Sequence, residues 1–168
     1  SDPVVTRSLA TDETGNLYIG MFDNFGAVST NHSGKVNFNS FRQQLPDSIK
    51  DIGDVWRIHT TPKGIFFQTY NYLIWTEKSG KPIQLFSSPG NFWFSFFLND
   101  RLFIQEMGKG LLELVNNQLV PVPGLETMAE IEIGAMISGT AGKLIIGTAQ
   151  DGVFTYQKGK LIPWENEV

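Results

Sequence analysis

Apolar residues in this 168-residue chain come in short runs of about four to seven, bounded by Gly, Pro, Asn, Asp and Ser. That is the pattern of strands and turns, and helical periodicity is nearly absent. One phrase recurs four times: a polar turn, a short apolar run, a polar break, then a second β-rich run. The copies read Gly15-Asn16-Leu17-Tyr18-Ile19-Gly20, Lys63-Gly64-Ile65-Phe66-Phe67-Gln68, Asn99-Asp100-Arg101-Leu102-Phe103-Ile104-Gln105 and Ala141-Gly142-Lys143-Leu144-Ile145-Ile146-Gly147. Anchored on Leu17, Ile65, Leu102 and Leu144, they lie 48, 37 and 42 residues apart.

Each copy parses as a four-stranded meander. The second copy predicts strands over 55–60, 65–69, 72–76 and 82–86, joined by tight connections at 61–64, 70–71 and 78–80. The first predicts 5–10, 17–22, 27–30 and 36–41; the third 92–98, 102–105, 111–115 and 119–122; the fourth 133–138, 144–148, 153–156 and 161–164. Helical turns are expected only around 46–52 and 124–131, where one copy hands over to the next.

The second strand of each copy is apolar on consecutive positions, as in Ile65-Phe66-Phe67 and Leu144-Ile145-Ile146, so it should be covered on both faces. The fourth strands are more polar, as in Lys81-Pro82-Ile83-Gln84, which suits an outer edge. With a period of about 40 to 50 residues, the reading is all-β, a single domain of β-propeller blades at 4–41, 54–86, 91–122 and 132–164. Four blades with no strand exchanged between the termini are expected to form a sector of a larger propeller. Its end blades would then expose apolar faces, which further blades or a second copy in a homodimer would cover.

Composition removes several classes of function. Hydrophobic residues make up 41% of the chain, enough for a buried core. Thirteen Lys and Arg against 17 Asp and Glu give a net charge of −4 without blocks of like charge, so neither nucleic acid nor an anionic membrane surface is an expected partner, and no run approaches 18 consecutive apolar residues, so no membrane insertion is expected. The absence of cysteine excludes disulfides, thiolate metal sites and a cysteine nucleophile.

The phrase from Gly15 to Gly20 and on to Phe25-Gly26, followed by Asp54-Val55-Trp56-Arg57-Ile58 and Ile65-Phe66-Phe67-Gln68-Thr69, resembles the sensor propellers of Bacteroidetes-type membrane regulators. These are hybrid two-component histidine kinases and the related triple-tyrosine-motif helix-turn-helix regulators. Gly108-Lys109-Gly110-Leu111-Leu112-Glu113-Leu114 and Gln150-Asp151-Gly152-Val153-Phe154-Thr155-Tyr156 are similar to the third strand of that repeat. The resemblance implies a periplasmic or extracellular ligand-sensing role, a carbohydrate or other small molecule as ligand, and the remaining blades and domains of a receptor as partners. No part of the chain corresponds to the kinase or DNA-binding regions, so neither activity carries over.

Chemistry is sparse. His32 and His59 are the only histidines, and neither pairs with a candidate ligand or base; no metal or cofactor is expected. Asp23-Asn24 and Gln150-Asp151-Gly152 lack the oxygen spacing of a calcium loop, and no serine lies in a nucleophile elbow. The aromatic run at 92–97 reads as filling between blades. Within a meander, the connections between second and third strands emerge on one rim, together with the links between blades at 51–54, 88–91 and 127–130. Candidate ligand-binding residues on that rim are Asp23, Asn24, Phe25, Tyr70, Asn71, Glu106, Lys109, Gln150 and Asp151. The expected function is a sensor propeller fragment of a membrane-bound regulator; the alternatives are a protein-interaction scaffold without signalling and a propeller lyase or hydrolase.

Overall fold

Four antiparallel sheets, each a four-stranded meander, account for the strands of the chain in a computed structural model that describes residues 5–31 and 33–164. Blade 1 comprises β1 (Thr6–Thr11), β2 (Leu17–Met21), β3 (Asn24–Thr30) and β4 (Val36–Ser40). Blade 2 comprises β5 (Arg57–Thr60), β6 (Ile65–Gln68), β7 (Tyr72–Thr76) and β8 (Ile83–Ser87). Blade 3 comprises β9 (Phe92–Leu98), β10 (Arg101–Glu106), β11 (Gly110–Val115) and β12 (Gln118–Pro121). Blade 4 comprises β13 (Ile133–Ser138), β14 (Leu144–Thr148), β15 (Val153–Gln157) and β16 (Lys160–Pro163). Among the described residues, no helix is long and apolar enough to cross a membrane.

Three expectations about local structure are corrected. The third strand of blade 1 begins at Asn24, not 27, because the connection is only Phe22-Asp23 and Asn24 already pairs with Met21. The inner strand of blade 2 begins at Arg57, not 55: Asp54 bridges Phe22 and Val55 N–H donates to Met21 O at 3.0 Å, which ties this stretch to blade 1 first. The helical turn expected at 46–52 lies instead at Arg42–Gln44. Residues after it are held by a single turn from Ile49 N–H to Pro46 O, while Arg42 takes the carbonyls of Ile49 and Lys50. The turn at Glu126–Met128 falls inside the expected 124–131, and a further one occupies Thr140–Gly142.

The chain divides into two compact units, Ser1–Ser87 and Ser88–Val168, each holding two blades. In the first, Phe67 on β6 is fully buried with Phe25, Phe41 and Tyr18 around it, at ring-centroid distances of 4.8, 6.3 and 6.4 Å. Blade 1 thus packs on blade 2 through aromatic rings, two of them edge-on to Phe67, the geometry their quadrupoles favour. In the second unit, Phe96, Phe103 and Leu111 of blade 3 form one core with Met136, Leu144 and Ile146 of blade 4.

Burial along the second strands separates the blades into two kinds. All of β6 and every residue of β10 after Arg101 are buried. In β2 and β14, by contrast, buried and half-buried residues alternate, because one face of blade 1 and one face of blade 4 are open. The outer strands β4, β8, β12 and β16 carry no buried residue, consistent with their polar sequences.

Candidate ligand-binding rim

The rim of the first unit is built from two connections, Phe22-Asp23 and Thr69-Tyr70-Asn71, and from the long link into β5. Asp23 sits at φ 48°, a left-handed conformation that Asp tolerates better than most residues. Its Oδ1 accepts from Arg42 Nε and from Ile52 N–H, both at 3.0 Å, and its own N–H donates to Gly53 O at 2.8 Å. Asn24 Oδ1 accepts from Phe25 N–H at 2.9 Å and Ser40 Oγ at 2.6 Å. These two side chains therefore organise the link and the outer strand. Phe25, read from sequence as a rim residue, is fully buried in the core of its unit, because its place in β3 turns it inward. Tyr70 and Asn71 face solvent, held by the Thr69 hydroxyl, which accepts from Asn71 N–H and Tyr72 N–H.

Beside them lies a group that the sequence reading did not select. The pairing of β1 with β2 shifts register between Thr6 and Ser8, so Arg7 occupies a bulge. Bulges re-aim side chains. Arg7 Nε donates to Asp54 Oδ1 at 2.6 Å, and its guanidinium stands 5.8 Å from the centroid of the Trp56 ring. Trp56 is 50% exposed, Phe22 64% and Tyr70 43%. Backbone bonds tie together the segments that carry them: Phe22 bridges Asp54, two residues before Trp56, and Trp56 N–H donates to Gln68 O, two residues before Tyr70. Arg57 follows, its pKa lowered by burial. The sequence signal was the Trp56-Arg57 pair opening the second copy; nothing local marked Arg7 or Phe22.

The rim of the second unit has a different character. Glu106 ends β10 and is buried, paired with Lys109 Nζ at 2.6 Å, while the lysine itself is exposed. The preceding residue, Gln105, also occupies a register shift, here between β10 and β9. Its Nε2 donates to Met128 O and Ile131 O at 3.2 and 2.6 Å, and its Oε1 accepts from Ile133 N–H at 2.9 Å. It is the buried clasp on the link between blades 3 and 4. Gln150 and Asp151 are exposed in the turn after β14, where Asp151 N–H donates to Thr148 Oγ1.

The arrangement suits binding: exposed aromatic faces and a hydrogen-bonding cation on rigid strand ends. Among the described residues no three His, Asp or Glu side chains gather to hold a metal ion. His59 lies on β5 opposite Phe66, and His32 is outside the described residues.

No protein-family model matches the chain, and no curated protein does. Solved structures do. The extracellular domain of a protein described as a hybrid two-component system from B. thetaiotaomicron aligns over 100% of this chain and 22% of its own, at 14% identity and a TM-score of 0.68. A catalytically inactive variant of virginiamycin B lyase from Staphylococcus aureus, solved with quinupristin, aligns over 100% of this chain and 58% of its own, at 14% identity and a TM-score of 0.69. The Pan2 WD40 domain of Neurospora crassa aligns over 94% of this chain and 48% of its own, at 16% identity and a TM-score of 0.64. The chain therefore spans between 22% and 58% of the length of these structures. At such identities the likeness is one of fold alone, and it establishes the four meanders as blades of a β-propeller.

Proposed function

We propose that this chain is the ligand-recognising part of an extracytoplasmic sensor propeller in a membrane-bound signal transduction regulator. The observation that carries this reading is the group on the first rim: Trp56, Phe22 and Tyr70 exposed, with Arg7 aimed over Trp56 by a bulge and anchored on Asp54. Large exposed aromatics backed by a positioned cation form a surface for a small ligand with apolar faces and polar edges, carbohydrates among them. The fold likeness to the extracellular domain of a described two-component system supports a sensing role outside the cytoplasm.

The test is a titration followed by the indole N–H resonances of the four tryptophans, with Trp56 assigned through Trp56→Phe. The probes are neutral and uronic-acid-containing oligosaccharides. Saturable displacement of the Trp56 resonance by one of them, lost in Arg7→Ala, is the expected result; an unmoved Trp56 across the panel removes the reading.

A further inference from the structure

At the end of blade 4 away from Gln150 and Asp151, the turns 139–143 and 158–159 frame a cavity of about 310 Å³ lined by Lys143, Thr155, Gln157, Lys158, Lys160 and Ile162. Gln157 pairs with Lys160, and Leu144 with Tyr156, so Lys143, Gln157 and Lys160 make the last row of the sheet. Neighbouring strands lie about 4.8 Å apart, which puts the two lysines on either side of Gln157 within reach of one ion. Lys158 joins them from the turn, at φ 51°. Gln157 Nε2 donates to Ala141 O at 2.7 Å and ties the two turns together. Among the described residues, none of the three lysines takes part in an ion pair.

The same place in blade 3 is electrically balanced. With the repeats aligned on Leu102 and Leu144, Arg101 takes the position of Lys143 and Glu113 that of Thr155. Arg101 donates to Glu113 through two bonds, at 2.7 and 2.6 Å. Asn116 and Gln118 stand where blade 4 has Lys158 and Lys160. Blade 4 thus lacks the acid and carries two further cations on the same scaffold, in a chain whose net charge is −4.

Blade 3 also shows that this end of a blade stays open when another packs on it. Blade 4 covers Phe96, Phe103 and Leu111, yet the Arg101 side chain keeps 48% exposure. Val115 and Gln118, the counterparts of Gln157 and Lys160, are exposed as well. By the same geometry the cavity of blade 4 is reachable whatever covers the middle of that face.

We propose that this cavity binds a phosphate group, as the free ion or as the monoester of a small molecule. Phosphate concentrates nearly two negative charges and several acceptor oxygens on one centre, so it meets three ammoniums at once. A carboxylate, with a single charge, would leave most of the positive charge unbalanced. Lysine brings each charge on a flexible stem with three donors, and so closes on the ion from strand and turn alike. Thr155 adds a hydroxyl whose bond to Ile162 O is long, at 3.4 Å, and is readily exchanged for a ligand oxygen. The site is separate from the aromatic rim of the first unit and does not depend on its function.

The experiment is a titration of the full chain with inorganic phosphate and, separately, with methyl phosphate, followed by proton–nitrogen NMR spectra at ionic strength held constant with sodium chloride. Saturable shifts of the Lys158 and Gly159 backbone amides and the Gln157 side-chain amide are expected with at least one probe. Lys143→Gln/Lys160→Gln should weaken that binding about tenfold. Thr155→Glu, which rebuilds the balanced arrangement of blade 3 while keeping all three lysines, should weaken it as well; circular dichroism verifies that both variants remain folded. Binding of inorganic phosphate alone identifies the free ion as the ligand, and tighter binding of methyl phosphate identifies the monoester. Shifts that do not saturate, that chloride reproduces, or that fall only on other residues overturn the proposal. So does saturable binding that either variant leaves unchanged.

Discussion

Lys78, in the turn between β7 and β8 of blade 2, holds its ammonium 3.4 Å from Oδ2 of Asp12, in the turn between β1 and β2 of blade 1. The Asp12 side chain is wholly removed from solvent. Its Oδ1 accepts from Thr14 N–H, Thr14 Oγ1 and Asn16 N–H at 2.9, 2.7 and 3.0 Å, and its Oδ2 from Asn16 Nδ2 and Tyr18 OH at 3.0 and 3.3 Å. One carboxylate therefore shapes its own turn and links two blades. Asp12→Ala should lower the thermal midpoint clearly, because it strips partners from several polar groups at once. Glu13→Ala, a change at an exposed neighbour that also contacts Lys78, should lower the midpoint much less. Thermal melts followed by circular dichroism compare the two.

The same group makes stability depend on pH. The Asn16 side-chain hydrogen bond, with those from Thr14, holds the Asp12 carboxyl well below the ordinary carboxylate range. A group whose pKa is lower folded than unfolded contributes stability above its unfolded value, about 4, and loses it as the pH falls toward the folded value. Urea midpoints should therefore decline below about pH 4, with a shallower decline in Asp12→Asn. At the alkaline end the sign reverses: the hydrogen bond to Glu13 raises the pKa of Lys78, so its contribution is intact below 10.5 and lost as the pH rises past it. Lys78→Met should flatten that alkaline limb.

Phe67→Ala removes the ring about which the first unit's aromatic core is arranged. The expected loss is about 3–5 kcal/mol, the range for emptying a buried phenylalanine site. Chemical denaturation measures it, and a loss below about 1 kcal/mol would mean that the blades repack around the gap.

Gln105→Ala leaves Ile131 O and Ile133 N–H of the link between blades 3 and 4 without the Gln105 side chain, and Met128 O with its Ile131 N–H partner alone. The expected cost is about 1–3 kcal/mol. Gln105→Glu should be destabilising as well, since a carboxylate cannot donate to Met128 O and Ile131 O. Hydrogen exchange at Ile133 N–H reports the clasp directly and should accelerate in both variants.

Arg7→Ala separates binding from stability. The Arg7–Asp54 pair is partly exposed, 39% and 20% for the two side chains, so its loss should change stability by no more than about 1 kcal/mol. The indole resonance of Trp56 should nevertheless shift, because the cation over its ring is gone.

The repeat was readable because everything that sets it is local. Run lengths of four to seven, turn residues and consecutive apolar positions such as Ile65-Phe66-Phe67 determine a meander without reference to distant parts of the chain. The rim was only partly readable. Tyr70 and Asn71 sit in a three-residue connection, and the turn alone places them at the surface. Phe25 looked equivalent but lies one residue into β3, and a shift of one residue in a strand moves a side chain to the opposite face.

Four all-β meanders with continuous apolar second strands thus follow from the order of residues alone, since alternation and turn chemistry act over a few positions. Which faces those strands bury, and which side chains gather at the rim, depend on contacts between segments far apart in the chain. Arg7 reaches Asp54 and Trp56 only because a bulge in β1 re-aims it and because Val55 N–H binds Met21 O, drawing the link across blade 1. Packing decided likewise that Phe67 is enclosed, with blade 1 covering it, while its counterpart Ile19 is only half-buried.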